Sequence, residues 1–363
     1  MCPKKVLYKY EPDYAVPPGH TLQETIDELG MDQKELAQRI GLTTQTVNKI
    51  IKGIDPVTRE TAIKLERATG VPARMWNSME MNYRERLAKI EDEKQLESDL
   101  EWLNDLPVNE LKKRNIISNT RNKSVLLQDI LSFFGVNSKR DWENLWENKL
   151  AASFRRSRAT KMKTEAMATW LRLGELEAQK IDCEPYNKNL FQEVLLKART
   201  LTVKPPKVFE PEIEELCSRA GVAVVFVKDI KGCPANGVSR WLTPKKALIQ
   251  LSLRYKTDDH LWFSFFHEAG HILYNPKKNV YIDLARNEDD NEYEEKANQF
   301  ASNILIPPEY KTKLMLLNRK NLIVNFANSI GISPGIVVGR LQKEKILPYS
   351  HCNDLKRKFE WSN

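Results

Sequence analysis

Residues 258–276 read DDHLWFSFFHEAGHILYNP. Asp258 or Asp259 is suited to N-cap this run, its body is aromatic and aliphatic, and Asn275-Pro276 is a stop, so the pattern predicts one helix. Four-residue spacing puts His267 and His271 one turn apart on the same face, where both imidazoles can reach a single cation. Glu268, next to the first histidine, can then contact a cation-bound water, which is the arrangement of metal-assisted hydrolysis. The plainer alternative is two histidines and a glutamate hydrogen-bonded and inert on a partly buried helix.

A third ligand is expected downstream. Residues 292–305 read EYEEKANQFASNIL, in which Ala297, Phe300, Ala301, Ile304 and Leu305 recur at helical spacing as a buried face. Glu294 precedes the two alanines by three and seven residues and therefore points inward, whereas Glu292 and Glu295 project elsewhere. Small side chains at 297 and 301 let this helix approach the histidine helix and bring the Glu294 carboxylate to the cation, with Asn298 one turn on as a hydrogen-bonding support. Two imidazoles and one carboxylate suit Zn2+ and leave it an open position. Thiolates are not expected to contribute. The five cysteines, at positions 2, 183, 217, 233 and 352, contain no C-x-x-C pair, and Cys233, in a loop near the sheet, reads most simply as small, buried and inert.

Around these helices the chain predicts an α+β fold, mostly helical, with one small mixed sheet. Residues 222–227 and 247–252 are β-branched or alternating and read as strands. The second lies just before the histidine helix, either as a core strand or as an edge that pairs with an extended substrate. The stretch from 240 to 274 followed by 294–307 is similar to the ImmA/IrrE family of zinc metallo-endopeptidases, with resemblance over residues 208–308. Its motifs are a strand, the HExxH helix, and an E-x-x-A-N-x-F-A helix ending in proline. The resemblance implies His267, His271 and Glu294 as zinc ligands and Glu268 as general base, in agreement with the spacing. It also implies a protein substrate, since the family is associated with cleavage of helix-turn-helix repressors.

A second motif lies near the N-terminus. Residues 33–52 read QKELAQRIGLTTQTVNKIIK, with Ala37 where two helices meet closely, Gly41 where a turn requires positive φ, and Val47 and Ile50 facing a core. Thr43 or Thr44 can cap the second helix. That leaves Thr44, Gln45, Thr46, Asn48 and Lys49 on an exposed polar face, with Gln33 and Lys52 beside it, all able to bond base edges or phosphates. The alternative is a bundle helix whose polar face is merely solvated. Residues 20–76 carry 8 Lys/Arg against 8 Asp/Glu, so DNA contact would rely on local cations such as Arg39, Lys49 and Lys52, and on a homodimer. The stretch from Pro17 to Leu87 resembles the repressor-type domain of HigA-like antitoxins, through Pro18-Gly19, Gly53, Thr61-Ala62 and Trp76. The resemblance implies operator DNA and a toxin protein as partners.

At 363 residues with 41% hydrophobic and 29% charged side chains, the chain has material for two or three folded domains and is far from disordered compositions. The expected division is a five-helix helix-turn-helix domain at 13–88, a helical connecting region at 89–204, a zincin-like peptidase domain at 205–312 and a helical extension at 313–363. The net charge of +8 hints at a polyanion, yet the excess lies in the middle, where residues 111–204 hold 19 Lys/Arg against 10 Asp/Glu. The cluster Arg155, Arg156, Arg158, Lys161 and Lys163 reads more simply as a solvated helix face than as a phosphate track. The longest apolar stretch, around residues 221–227, falls far short of the roughly 18 residues that span a bilayer, so a cytoplasmic protein without a membrane partner is expected. Two functions remain open. One is a DNA-binding regulator whose zinc endopeptidase cleaves a repressor, itself or a partner; the other is an antitoxin or autorepressor whose peptidase-like domain senses or binds without cleaving.

Overall fold

In the computed structural model, residues 14–147, 163–274, 281–284 and 292–361 are described. The basic residues Arg155, Arg156, Arg158 and Lys161 and the Asn275-Pro276 stop lie outside them. The chain forms two compact units, Met1–Leu100 and Glu101–Asn363, and among the described residues no single helix is long and apolar enough to cross a membrane.

The first unit is five helices: α1 (Pro18–Glu28), α2 (Gln33–Ile40), α3 (Thr44–Ile51), α4 (Arg59–Thr69) and α5 (Ala73–Asp99). Their apolar faces meet in one cluster containing Leu22, Ile26, Leu36, Ala37, Val47, Ile50, Leu65 and Trp76. Gly41 takes φ 63° at the end of α2, the left-handed conformation that the sharp α2–α3 turn requires. Helix α5 runs on past residue 88, where the sequence pattern ends the domain. Beyond that point its register carries little apolar material, and a helix with a polar surround gives periodicity no end to detect.

The second unit opens with the short helices α6 (Val108–Lys113), α7 (Lys123–Phe134) and α8 (Lys139–Trp142). Their buried aromatic knot includes Trp102, Phe134, Trp142 and Trp146. Then come α9 (Thr164–Lys180), α10 (Lys188–Thr200) and α11 (Pro206–Arg219) before the sheet. The sheet has four strands, β1 (Val222–Phe226), β2 (Ala235–Thr243), β3 (Lys246–Leu251) and β4 (Tyr281–Leu284), in the order β1-β3-β2-β4. β3 pairs parallel with β1 and antiparallel with β2. It is therefore interior on both sides, and the expectation that it offers an edge to an extended substrate is corrected: its ladder hydrogen bonds are already taken.

Helix α9 supplies the partners that make this sheet possible. Its main chain accepts hydrogen bonds from three groups: Arg240 to Leu171 O at 2.8 Å, Gln250 to Trp170 O at 2.7 Å, and Lys246 to Ala178 O at 2.7 Å. Arg240 and Gln250 are buried, and burial of such groups is tolerated only when they are bonded. Residues 164–204 thus pack as part of the second unit's core, with Phe191, Leu195 and Ala198 in the same apolar cluster as β1, β3 and the histidine helix.

The histidine helix, α12, spans Asp258–Tyr274. Leu261 N–H bonds Thr257 O at 3.1 Å, so Thr257 occupies the cap position and both aspartates fall inside the first turn. Asp258 is buried and has other partners. The Ser333 hydroxyl donates to it, as do the main-chain N–H of Arg357 at 3.1 Å and the Arg357 guanidinium at 3.3 Å. Arg357 also donates to Val203 O at 3.1 Å and Lys204 O at 3.0 Å, while Lys356 pairs with buried Asp259 at 2.7 Å. The following elements are α13 (Glu292–Leu305), α14 (Lys311–Leu314), α15 (Lys320–Ile330) and α16 (Pro334–Lys343). The apolar side of α16, with Ile336, Val337, Val338 and Leu341 buried, packs on α12.

Arg357 therefore holds the start of α12 against two other parts of the chain. Replacing Arg357 by Ala removes the cation paired with buried Asp258 while Ser333 and the main-chain N–H of residue 357 still donate to it, and the expected cost is about 1–3 kcal/mol. It should appear as a lowered urea midpoint of the second unit, whereas Lys343→Ala, at an exposed position, changes it by less than about 0.5 kcal/mol. Equal midpoints for the two variants would remove the clamp from this account.

Candidate metal centre

Helix α12 is buried along nearly its whole length, and His267, Glu268 and His271 are 4%, 0% and 2% exposed. The two Nε2 atoms stand 3.0 Å apart. From α13 the Glu294 carboxylate meets both, with Oε2 3.3 Å from His267 Nε2 and Oε1 3.2 Å from His271 Nε2. These ligand atoms lie within 4.8 Å of one another and can hold one metal ion. Tetrahedral bonds of about 2.0–2.1 Å place neighbouring donor atoms about 3.3 Å apart, so the spacing of this trio matches a small cation with N and O ligands. Burial pushes the Glu294 carboxyl up, but the hydrogen bonds and charge of His267 and His271 outweigh it and hold the group well below the usual carboxylate range.

The close approach of α13 to α12 follows from small residues on both. A Cβ added at Gly270, inside the HExxH run, would sit 3.0 Å from Ala297 Cα and 3.3 Å from Ala297 Cβ, and Ala297 and Ala301 are fully covered. The alanines are legible in the sequence; the glycine opposite them is the half that spacing arguments overlook. On the other side of α12, a Cβ at Gly237 of β2 would meet Glu268 Cγ and Oε1 at 3.0 Å. The Glu268 carboxylate therefore rests against the strand's main chain. Asn298 is exposed, and among the described residues no hydrogen bond joins it to the trio. Cys233 is buried with its Sγ 3.8 Å from Met167 Sδ, and burial pushes its thiol up to about 12, which keeps it protonated.

In the first unit Thr43 is the cap of α3, its hydroxyl accepting from Thr46 N–H at 3.1 Å. Thr44, Gln45, Lys49 and Lys52 are exposed, while Thr46, Asn48 and Gln33 are half-buried. Asn48 donates to Gln33 Oε1 at 3.2 Å and Gln33 to Gln23 Oε1 at 2.8 Å, so the two amides are held in fixed orientations. Arg39 pairs with Glu35 at 2.6 Å, both side chains about half exposed, a bond that costs well under about 1 kcal/mol to exchange for another anion.

The fold and these two faces define a two-part chain: a helix-turn-helix unit followed by a metallopeptidase-like unit. Residues 22–76 match the helix-turn-helix family, and residues 218–342 match the peptidase family described as the IrrE N-terminal-like domain. An uncharacterized HTH-type transcriptional regulator of Escherichia coli K12, YddM, is 32% identical over 63 residues, 17% of this chain and 67% of that protein. The chain belongs to the HTH-type transcriptional regulators and is a DNA-binding regulator that carries an IrrE-like peptidase domain. Among solved structures, it is similar to the Pseudomonas aeruginosa antitoxin HigA with the higBA promoter (25% identity, 24% of this chain, 95% of that one, TM-score 0.22). It is also similar to a HigA-family addiction module antidote protein from Coxiella burnetii (26%, 23%, 94%, TM-score 0.22).

Gly270→Val is expected to force α13 away from α12, at about 1–3 kcal/mol of stability. A crystal structure of the variant should show Glu294 withdrawn from both Nε2 atoms; an unchanged trio would mean that the glycine does not set the approach.

Proposed function

We propose that the chain is a DNA-binding regulator and a zinc-dependent endopeptidase, acting on a repressor, on itself or on a partner protein. The observation that carries this reading is the convergence of the His267, His271 and Glu294 donor atoms beside the buried Glu268. His267, His271 and Glu294 hold the ion; Glu268 is the general base. When bound, Zn2+ supplies a Lewis acid that polarises a peptide carbonyl and brings the pKa of a water toward about 7. Glu268 takes a proton from the attacking water as the new C–O bond forms, then delivers it to the amine nitrogen as the C–N bond breaks. The strand main chain behind Glu268, at Gly237, sets where that carboxylate can stand.

Glu268→Gln is expected to abolish cleavage, a loss of at least about 100-fold, while elemental analysis still finds one equivalent of zinc. His271→Ala should lose the metal. Zinc retained by His271→Ala, or full cleavage by Glu268→Gln, contradicts the assignment. The competing reading, an antitoxin or autorepressor whose second unit only senses, is supported by the N-terminal resemblance. It predicts operator and toxin binding untouched by Glu268→Gln and no cleaved product.

For the first unit we assign base contacts to Thr44, Gln45, Thr46 and Asn48 and phosphate contacts to Lys49 and Lys52, with Gln33 orienting Asn48, in a homodimer on operator DNA. Lys49→Ala should weaken binding to DNA upstream of its own coding sequence and lower the slope of log K against log salt by about 1 per subunit. Gln45→Ala should instead relax sequence preference. A salt slope unaltered in Lys49→Ala would move the phosphate contact elsewhere.

A further inference from the structure

Of the 17 residues of α12, the exposed ones are His260, Phe263 and Tyr274. Their spacing has a meaning. His260, Phe263, His267, His271 and Tyr274 recur at intervals of three and four, so they fall on one stripe of the helix, and the line that α12 leaves open to solvent is the line that carries both imidazoles. Its flanks are closed. On one side Gly270 meets Ala297 of α13, and on the other Glu268 lies against Gly237 of β2. That strand is irregular there: Ala235 pairs with Leu284 and Gly237 with Asp283, so Asn236 is an extra residue, a β-bulge. The open stripe thus runs between α13 and the sheet, with the half-buried Glu294 carboxylate and both imidazoles near its middle.

On either side of the trio the stripe is aromatic. Toward the start of α12, Phe263 stacks on His267 with ring centroids 6.2 Å apart, and Tyr255 stacks on His260 at 4.3 Å. Beyond His271, Tyr274 packs edge-on against Phe300 of α13 at 5.6 Å, and these two rings line an open groove of about 590 Å³ together with Leu196 of α10 and Ile304. Phe300 also reaches the seam between the two metal-centre helices, 3.3 Å from where a Cβ on Gly270 would stand. Phe263, Tyr274 and Leu196 are 36%, 45% and 63% exposed, and large apolar side chains gathered along one line in water mark a surface that a partner covers. We infer that this line is the substrate cleft, and that it selects large apolar side chains, aromatic or long aliphatic, on both sides of the scissile bond. The inference rests on the peptidase reading above. Length decides for a polypeptide over a compact small molecule: at about 1.5 Å per residue Phe263 and Tyr274 are about 16 Å apart along the helix, a span that an extended chain advancing about 3.3 Å per residue covers in about five residues. Phe263 and Tyr274 stand about 6 and 4.5 Å along the axis from the nearer histidine, within reach of the first two residues on each side of a bond held over the metal.

The test uses the full zinc-loaded chain and peptides with a central hydroxamate, carrying Phe, Leu, Gly or Asp at the two residues on one side or the other of the chelating group. Acetohydroxamate probes the metal alone, and each peptide affinity is read relative to it in the same variant. On both sides Phe or Leu should bind at least about tenfold more tightly than Gly or Asp. Leu196→Ser, a change at an exposed position of another helix, should reduce the preference on one side severalfold with the melting temperature unchanged, and Phe263→Ala should reduce the preference on the other. Acetohydroxamate binding with no apolar preference on one or both sides, or a preference untouched by its substitution, overturns the cleft alone. Failure of acetohydroxamate to bind the zinc-loaded chain overturns the peptidase reading and the cleft with it.

Discussion

The second unit is arranged around a contact between two helices that is closer than ordinary side chains permit. Glu294 can meet both imidazoles only because Gly270 on one helix faces Ala297 on the other, with Ala301 also covered. Everything else about the centre depends on that approach. The trio comes from two helices separated in sequence by β4, and each helix is fixed independently, α12 by the sheet and α16, α13 by its apolar underside. Rigid placement by packed elements is what allows three ligands to be positioned before any ion arrives. The dryness of the surroundings then raises the stakes of every charge within it.

Much of the centre was legible because its chemistry is written at helical spacing. His267, Glu268 and His271 declare themselves within five consecutive residues, and Glu294 could be oriented from the alanines that follow it. The repressor-like unit was equally open to reading, since Gly41, Val47 and Ile50 each occupy a position with one permitted role. What escaped was structure held by partners far away in the chain. β2 carries Asn236-Gly237, which reads as a turn, and Arg240, which breaks the apolar alternation. Both fit a strand only because α9 accepts the arginine's hydrogen bond and because the bulge absorbs the asparagine. The same holds for Asp258 and Asp259, which look like caps until Arg357 and Lys356 are seen to claim them.

The bulge in β2 follows from the same logic of compensation. An irregular residue in a central sheet is costly unless it does something for its neighbours. At 236–237 the irregularity sets a glycine against the Glu268 carboxylate.

The Arg357 clamp also imposes an order in time. The first turn of α12 is secured by a residue 99 positions further along the chain, and contacts of such long range form late. During synthesis the repressor-like head emerges and can fold while the ribosome has yet to translate the arginine that completes the body. The helix-turn-helix unit can therefore be complete in a nascent chain before the first turn of α12, and with it the His267, His271 and Glu294 trio, has its distant anchor.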